Sequence, residues 1–416
     1  MAELAGGNKG RKHLRNSSTH ILTSHAGSLP RPANLLAANR ARSRSGGGEE
    51  RGFHDVLRAA TAEVVRRQRA IGIDIPNDGE FGHGMNFSVN YGAWWGYAFQ
   101  RLSGLSVSDQ EGDTPPQHAG AAGLKLSSRL DRRDRKKFAE AYADPESGIY
   151  MGPERLAIPV CVGPVKYTGQ EALRADIANM KAAMAAAGLE EGFLNAVAPG
   201  SCARMANRYY KTDDEFIMAT AEAMREEYKA IVDAGLILQL DDPLVAEGWD
   251  QINPEPSVAT YRKYAMRWIE ALNYAIRGLP PDRIRFHLCW GSWHGPHTTD
   301  LPMREIVEVM LAVNCQGYSF EAANARHEHE WNVWEEVHLP DGKIILPGIV
   351  SHATNVVEHP ELVALRICRF AKLVGRERVI AATDCGLGGR VHAQIAWAKL
   401  ESLAEGAAIA GKQLWH

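Results

Sequence analysis

The chain has 416 residues, 45% hydrophobic and 23% charged, with a net charge of −3. That is the composition of a globular protein, and the near-neutral balance excludes bulk attraction to nucleic acid or an anionic membrane surface. No apolar run approaches the ~20 residues needed to cross a bilayer, and the polar, basic residues 1–20 lack the apolar core of a signal peptide, so a cytoplasmic setting is expected.

Residues 1–19 read as a flexible tail, and 20–416 as one domain in which short apolar segments alternate with amphipathic ones. Strands are expected at 20–24, 73–77, 193–197, 236–240, 283–289, 317–321, 344–350 and 379–383, with a further short one at 157–162. Helices are expected over 56–70 and 172–187, and from the capping box Thr212-Asp213-Asp214-Glu215 to about 234. His359-Pro360-Glu361 reads as a cap followed by proline in the first turn of another helix. Two segments interrupt the rhythm. The stretch 40–50 is an Arg/Ser/Gly-rich loop, and 102–152 is an insertion of the length that suits a lid.

The alternation predicts parallel strands, either in an open doubly wound sheet or in a closed barrel. Ser28, Glu80, Asp241, Cys289, Glu321 and Cys385 fall at or just past the ends of their strands, where barrel active sites are assembled. Ser24-His25-Ala26-Gly27-Ser28 lacks the glycine spacing of a dinucleotide-binding turn. The expected fold class is therefore α/β, a (β/α)8 TIM barrel with a long insertion after the second strand.

Six cysteines in a chain this long do not make a disulfide framework. Cys161, Cys202, Cys315 and Cys368 sit among apolar neighbours and read as buried hydrophobes. Cys289 and Cys385 are each followed by turn-forming residues. In His287-Leu288-Cys289 the outer two side chains point the same way from a strand. Glu321, in Gly-Tyr-Ser-Phe-Glu, and Cys385, in Ala-Ala-Thr-Asp-Cys-Gly, come from the ends of later strands. An imidazole, two thiolates and a carboxylate form a set suited to zinc. Two thiolates keep such an ion electron-rich, so it leaves an incoming thiol nucleophilic, and thiol alkylation is the chemistry to expect.

This pattern resembles the catalytic domain of cobalamin-independent methionine synthase. Ala26-Gly27-Ser28-Leu29-Pro30, Asn77-Asp78-Gly79-Glu80-Phe81 and Leu238-Gln239-Leu240-Asp241-Asp242-Pro243 are similar to that family's Gly-Ser-Phe-Pro, Gly-Glu-Phe and Ile-Asp-Glu-Pro segments. The resemblance implies that His287, Cys289, Glu321 and Cys385 are zinc ligands. It also implies that Glu80 and Asp241 hold the ammonium of homocysteine while Gly27 and Ser28 hold its carboxylate, with a methylated folate as co-substrate. On this resemblance the chain is expected to be a single-barrel member, and the superfamily also contains epoxyalkane:coenzyme M transferase. It departs from the pattern where the family's folate-stacking Trp aligns near Met205, and where Tyr-Asp-Ile-His becomes Ile349-Val350-Ser351-His352.

For transfer from a tertiary amine, the leaving nitrogen needs a proton, and His352 is the candidate general acid. Each assignment competes with a plainer one. Glu80 and Asp241 also suit hydrogen bonding at the strand rim, and Asp242 is an alternative contact to Asp241. Trp94, Trp95 and Tyr97 suit either stacking on a planar cofactor or packing the insertion. His294 and His297 read as exposed loop residues. His327-Glu328-His329-Glu330 has the look of a metal motif but reads as the start of a solvent-exposed helix, and its two rings fall on different faces, which argues against a second metal site. Other readings are epoxide addition to coenzyme M, a non-catalytic zinc barrel, or a metal-free decarboxylase.

Overall fold

The computed structural model describes residues 15–44, 50–84, 93–108, 123–127, 131–149 and 158–415. Its ten strands are β1 (Leu22–Thr23), β2 (Leu105–Ser108), β3 (Ile158–Cys161), β4 (Phe193–Val197), β5 (Ala206–Asn207), β6 (Ile237–Asp241), β7 (Ile284–Leu288), β8 (Gly317–Phe320), β9 (Ile344–Val350) and β10 (Ile380–Thr383). Seven of them form one curled parallel sheet in the order β1-β10-β9-β8-β7-β6-β4. Helices such as Asp213–Asp233, Val258–Ala275 and Pro360–Val374 lie between successive strands. Strands β4, β7, β8, β9 and β10 are buried along their whole length, as expected when helices cover one face and side chains fill the other.

Of the expected eight-stranded barrel, the structure shows a curled parallel sheet of seven strands. The segment 73–77 does not form an eighth strand and contributes only an isolated parallel bridge, Asn77 to Phe193. Pro76 has no N–H to give to a ladder, but its carbonyl accepts from Phe193 N at 3.0 Å. On the other side, Ile75 N donates to Thr23 O at 3.0 Å, so the segment touches both β1 and β4. The stretch expected at 157–162 becomes β3, which pairs with β2 and β5 in a separate three-stranded sheet.

Alternation along the strands builds the sheet's concave side in rows. Leu22, Ile75, Phe193, Ile237, Ile344, Leu346, Ile380 and Ala382 form an apolar plug at one end. Above it, register pairs Gln239 with Arg285 and Arg285 with Gly317. A Cβ on Gly317 would lie 3.1 Å from that of Arg285, so the glycine makes room for the long side chain. The next row pairs Asp241 with His287 and His287 with Ser319.

Local signals behave as the residues dictate. Thr212 Oγ1 accepts from Glu215 N at 3.1 Å, capping the helix Asp213–Asp233. His359 Nδ1 accepts from Glu361 N at the start of Pro360–Val374. Residues 1–14 lie outside the described residues. Ser17, within the expected tail, is buried and donates to Val379 O at 2.6 Å, so packing on the domain begins before residue 20. Parts of 40–50 and 102–152 likewise lie outside the described residues. The described part of the insertion packs on the loops after β6 and β7. Ser127 N donates to Gln251 O at 2.6 Å, Arg133 to Trp249 O at 2.7 Å, and Trp293 Nε1 to Tyr142 Oη at 2.9 Å.

Candidate active site

His287 and Cys289 leave β7 on the same side and meet Cys385, which follows β10. One donor atom from each of the three lies within 4.8 Å of the others. The two sulfurs are 3.7 Å apart, and both cysteines are free thiols. Ser319 Oγ lies 2.9 Å from His287 Nδ1, which leaves the buried Nε2 without a hydrogen-bond partner among the described residues. Gly291 N donates to Cys289 Sγ at 3.2 Å.

The electrostatics of the three are mutual. Burial pulls His287 down, but contact with Cys385, Asp241 and Glu321 outweighs it and raises its pKa. Cys385 is held well below the ordinary thiol range, first by the hydrogen bond from Cys289, whose own pKa rises in turn. An orphaned imidazole nitrogen beside a stabilised thiolate and a second sulfur is a donor set that fits zinc.

Glu321 stands beside this trio but groups instead with His352 and Asp384. Its Oε1 accepts from Trp290 N at 2.9 Å, and its Oε2 from Asn324 Nδ2 at 2.7 Å and from Arg326 at 2.6 Å. His352 is fully buried, and neither of its ring nitrogens has a hydrogen-bond partner among the described residues.

Glu80 and Asp241 come to the same region. Burial pushes each carboxyl up to about 7; Arg31 and His287 oppose the rise at Glu80, and His287 opposes it at Asp241. Asp241 accepts from Asn195 Nδ2 at 2.9 Å and Gln239 Nε2 at 2.8 Å, whereas Glu80 Oε2 is buried without a hydrogen-bond partner among the described residues. Glu80 adopts φ 58°, an uncommon conformation for a side chain of this size and one that collects at functional sites. Gly27, at φ 128°, passes so close that a Cβ would meet Asn195 at 2.4 Å and Glu80 Oε1 at 2.5 Å. Ser28 is half-buried, and its carbonyl accepts from Leu387 N at 2.8 Å and Gly388 N at 3.0 Å, tying this loop to the one that carries Cys385. Asp242 turns away, accepting from Ser201 Oγ at 2.6 Å.

Several residues differ from expectation. His327 and Glu330 are buried rather than exposed, because His327 Nδ1 bonds Glu330 at 2.7 Å and its Nε2 lies 3.3 Å from Asp300. His297 is buried against Asp300 at 3.1 Å, while His294 is exposed. Trp95 and Tyr97 belong to the core: Trp95 Nε1 donates to Ser201 O and Tyr97 Oη to Glu227. Met205 is buried in the core. Asp384, Asn324, Arg326 and Arg285 surround the site and were not picked out from the sequence. Asp384 stands beside Cys385 in the quoted motif, which was the one available signal.

The chain is 25% identical over 435 residues to 2-hydroxypropyl-CoM lyase of Xanthobacter autotrophicus, covering 96% of this chain and 98% of that protein. It is 26% identical over 212 residues to methionine synthase of Saccharolobus solfataricus, a match covering 50% of this chain and 54% of that protein. Among solved structures, a B12-independent methionine synthase from Shewanella sp. W3-18-1 aligns with a TM-score of 0.63 at 21% identity, covering 95% and 99% of the two chains. Residues 159–408 match the family described as cobalamin-independent synthase, catalytic domain, and the chain belongs to that family.

Proposed function

We propose that this chain is a zinc-dependent enzyme that transfers an alkyl group, a methyl group in the leading reading, to a substrate thiol. The observation that carries the reading is the convergence of His287, Cys289 and Cys385 within 4.8 Å, from strand ends far apart in sequence. These three would hold zinc, with Glu321 on the adjoining strand end as an exchangeable fourth donor. When bound, zinc would deprotonate the incoming thiol while leaving its sulfur nucleophilic. Segment 73–77 would complete a (β/α)8 barrel, with 102–152 as a lid over its mouth.

The chain's own residues supply the rest. Glu80 and Asp241 would take a substrate ammonium, and the Gly27-Ser28 segment its carboxylate. This favours homocysteine as the thiol and a methylated folate as donor. As the sulfur–carbon bond forms and the carbon–nitrogen bond breaks, His352 would give its proton to the departing amine.

The second reading is alkyl transfer between an epoxide and a sulfonate thiol such as coenzyme M. It is favoured by the full-length similarity to 2-hydroxypropyl-CoM lyase, against a match over 54% of the methionine synthase. Incubating the zinc-loaded protein with homocysteine and methylfolate, or with coenzyme M and an epoxide, and quantifying the thioether separates the two. No thioether from either pair would contradict both.

A further inference from the structure

Strand β9 lies between β10 and β8, yet Asp384, just past β10, reaches across it to the loop that follows Glu321. The crossing needs Gly348 on β9: a Cβ there would sit 2.2 Å from Asp384 Oδ1 and 2.5 Å from Asp384 Cα. On the far side, Asp384 Oδ1 accepts from the N–H groups of Ala322 at 2.7 Å and Ala323 at 2.8 Å. Its Oδ2 accepts from Asn324 Nδ2 at 2.9 Å, and that same amide donates to Glu321 Oε2 at 2.7 Å. Glu321 Oε1 in turn accepts from Trp290 N, the residue after Cys289. A continuous set of bonds therefore joins the turn carrying Cys385, the loop carrying Glu321 and the turn carrying Cys289. Asp384 is fully buried, so each of these bonds forms away from competing water.

We propose that Asp384 is the positioning residue of the metal centre, fixing Glu321 and the Cys289 turn relative to Cys385. The inference rests on the zinc reading above. Asp384 touches neither metal nor substrate in this role. It acts by holding the ligand-bearing turns at one separation, and losing such a partner typically weakens metal affinity about 10–100-fold. Asp384→Asn preserves shape but turns one acceptor into a donor facing the amide of Asn324 or the two backbone N–H groups. Asn324→Ala removes the bridging amide and leaves the backbone bonds, so it serves as a second, milder variant should the first fail to fold.

The test measures zinc affinity by chelator competition and the visible spectrum of the cobalt(II)-substituted protein. Wild type, Asp384→Asn and Asn324→Ala are compared, with the unfolding midpoint recorded for each. The expected result is a zinc Kd raised roughly tenfold or more in Asp384→Asn and less in Asn324→Ala, with an altered cobalt spectrum in folded protein. Wild-type zinc binding with unchanged Kd and spectrum in the folded variants would overturn the inference alone. Folded wild type that binds no zinc would overturn the functional reading and this inference with it.

Discussion

The guanidinium of Arg285 donates to Gln239 Oε1 at 2.6 Å, and through that amide reaches Asp241, which Gln239 Nε2 contacts at 2.8 Å. Arg285 also bonds Ser24 Oγ and His25 O, both at 2.9 Å, immediately before the Gly27-Ser28 turn. One fully buried cation, two residues before His287 and on the same face of β7, thus supports both parts of the proposed thiol subsite.

Arg285→Met should leave those buried acceptors unsatisfied, at roughly 1–3 kcal/mol for each group that finds no new partner. We expect a clear drop in the urea midpoint and a thiol KM raised about tenfold, equivalent to about 1.4 kcal/mol of binding. Stoichiometric zinc should remain. A variant with wild-type KM would show that Arg285 only fills space.

Gly27→Ala places a methyl group against Asn195 and Glu80 at a backbone conformation that L side chains rarely adopt. Strain of this kind costs about 1–3 kcal/mol, and it falls on the turn proposed to hold the substrate carboxylate. Thiol binding, measured by calorimetry, should weaken about 5–150-fold if all of that cost appears in binding. Zinc content should stay the same.

Buried histidines pull the pH dependence of stability in two directions. Burial alone would lower His327, but its bonds to Asp300 and Glu330 raise it to about 9. Its stabilising effect is complete below pH 6.5 and is lost as pH rises through 9. Burial drives His25 and His83 down to about 3, so what they contribute is present above pH 6.5 and is lost as pH falls toward 3. Glu80 and Asp241, pushed up to about 7, oppose that acid loss, since their own contribution disappears as pH rises through 7. Urea midpoints should therefore show the alkaline limb most plainly between pH 7 and 9, and His327→Gln should remove much of it; an unchanged alkaline limb would discount His327.

Tyr142 Oη accepts from Trp293 Nε1 and donates to Asp134 Oδ2, both at 2.9 Å, joining the insertion to the loop after Cys289. Tyr142→Phe should weaken that local contact by about 1 kcal/mol. If 102–152 is a lid, hydrogen exchange at 131–143 should quicken about fivefold while the global unfolding midpoint holds. Unaltered exchange there would argue that the segment is fixed cover.

What the sequence made legible follows from which interactions are local. The largely apolar runs 193–197 and 344–350 mark their strands directly, because both faces are buried. The spacing of His287 and Cys289 is local too, and so is the Thr212 cap. Segment 73–77 reads as a strand by its two isoleucines, but it forms only the isolated bridge from Asn77 to Phe193. Asp384 was hard to see because its partners Ala322, Ala323 and Asn324 follow a different strand. His327 misled for the same reason: its spacing suggests a surface helix, while Asp300, a distant residue, draws it inside.

Elemental analysis of wild-type and Cys385→Ser protein, alongside thiol-alkylation turnover, tests the central proposal most directly. The expected result is about one zinc per wild-type chain, with metal and turnover both lost from the folded variant. Folded Cys385→Ser protein that contains no metal and still alkylates thiols at the wild-type rate would contradict it.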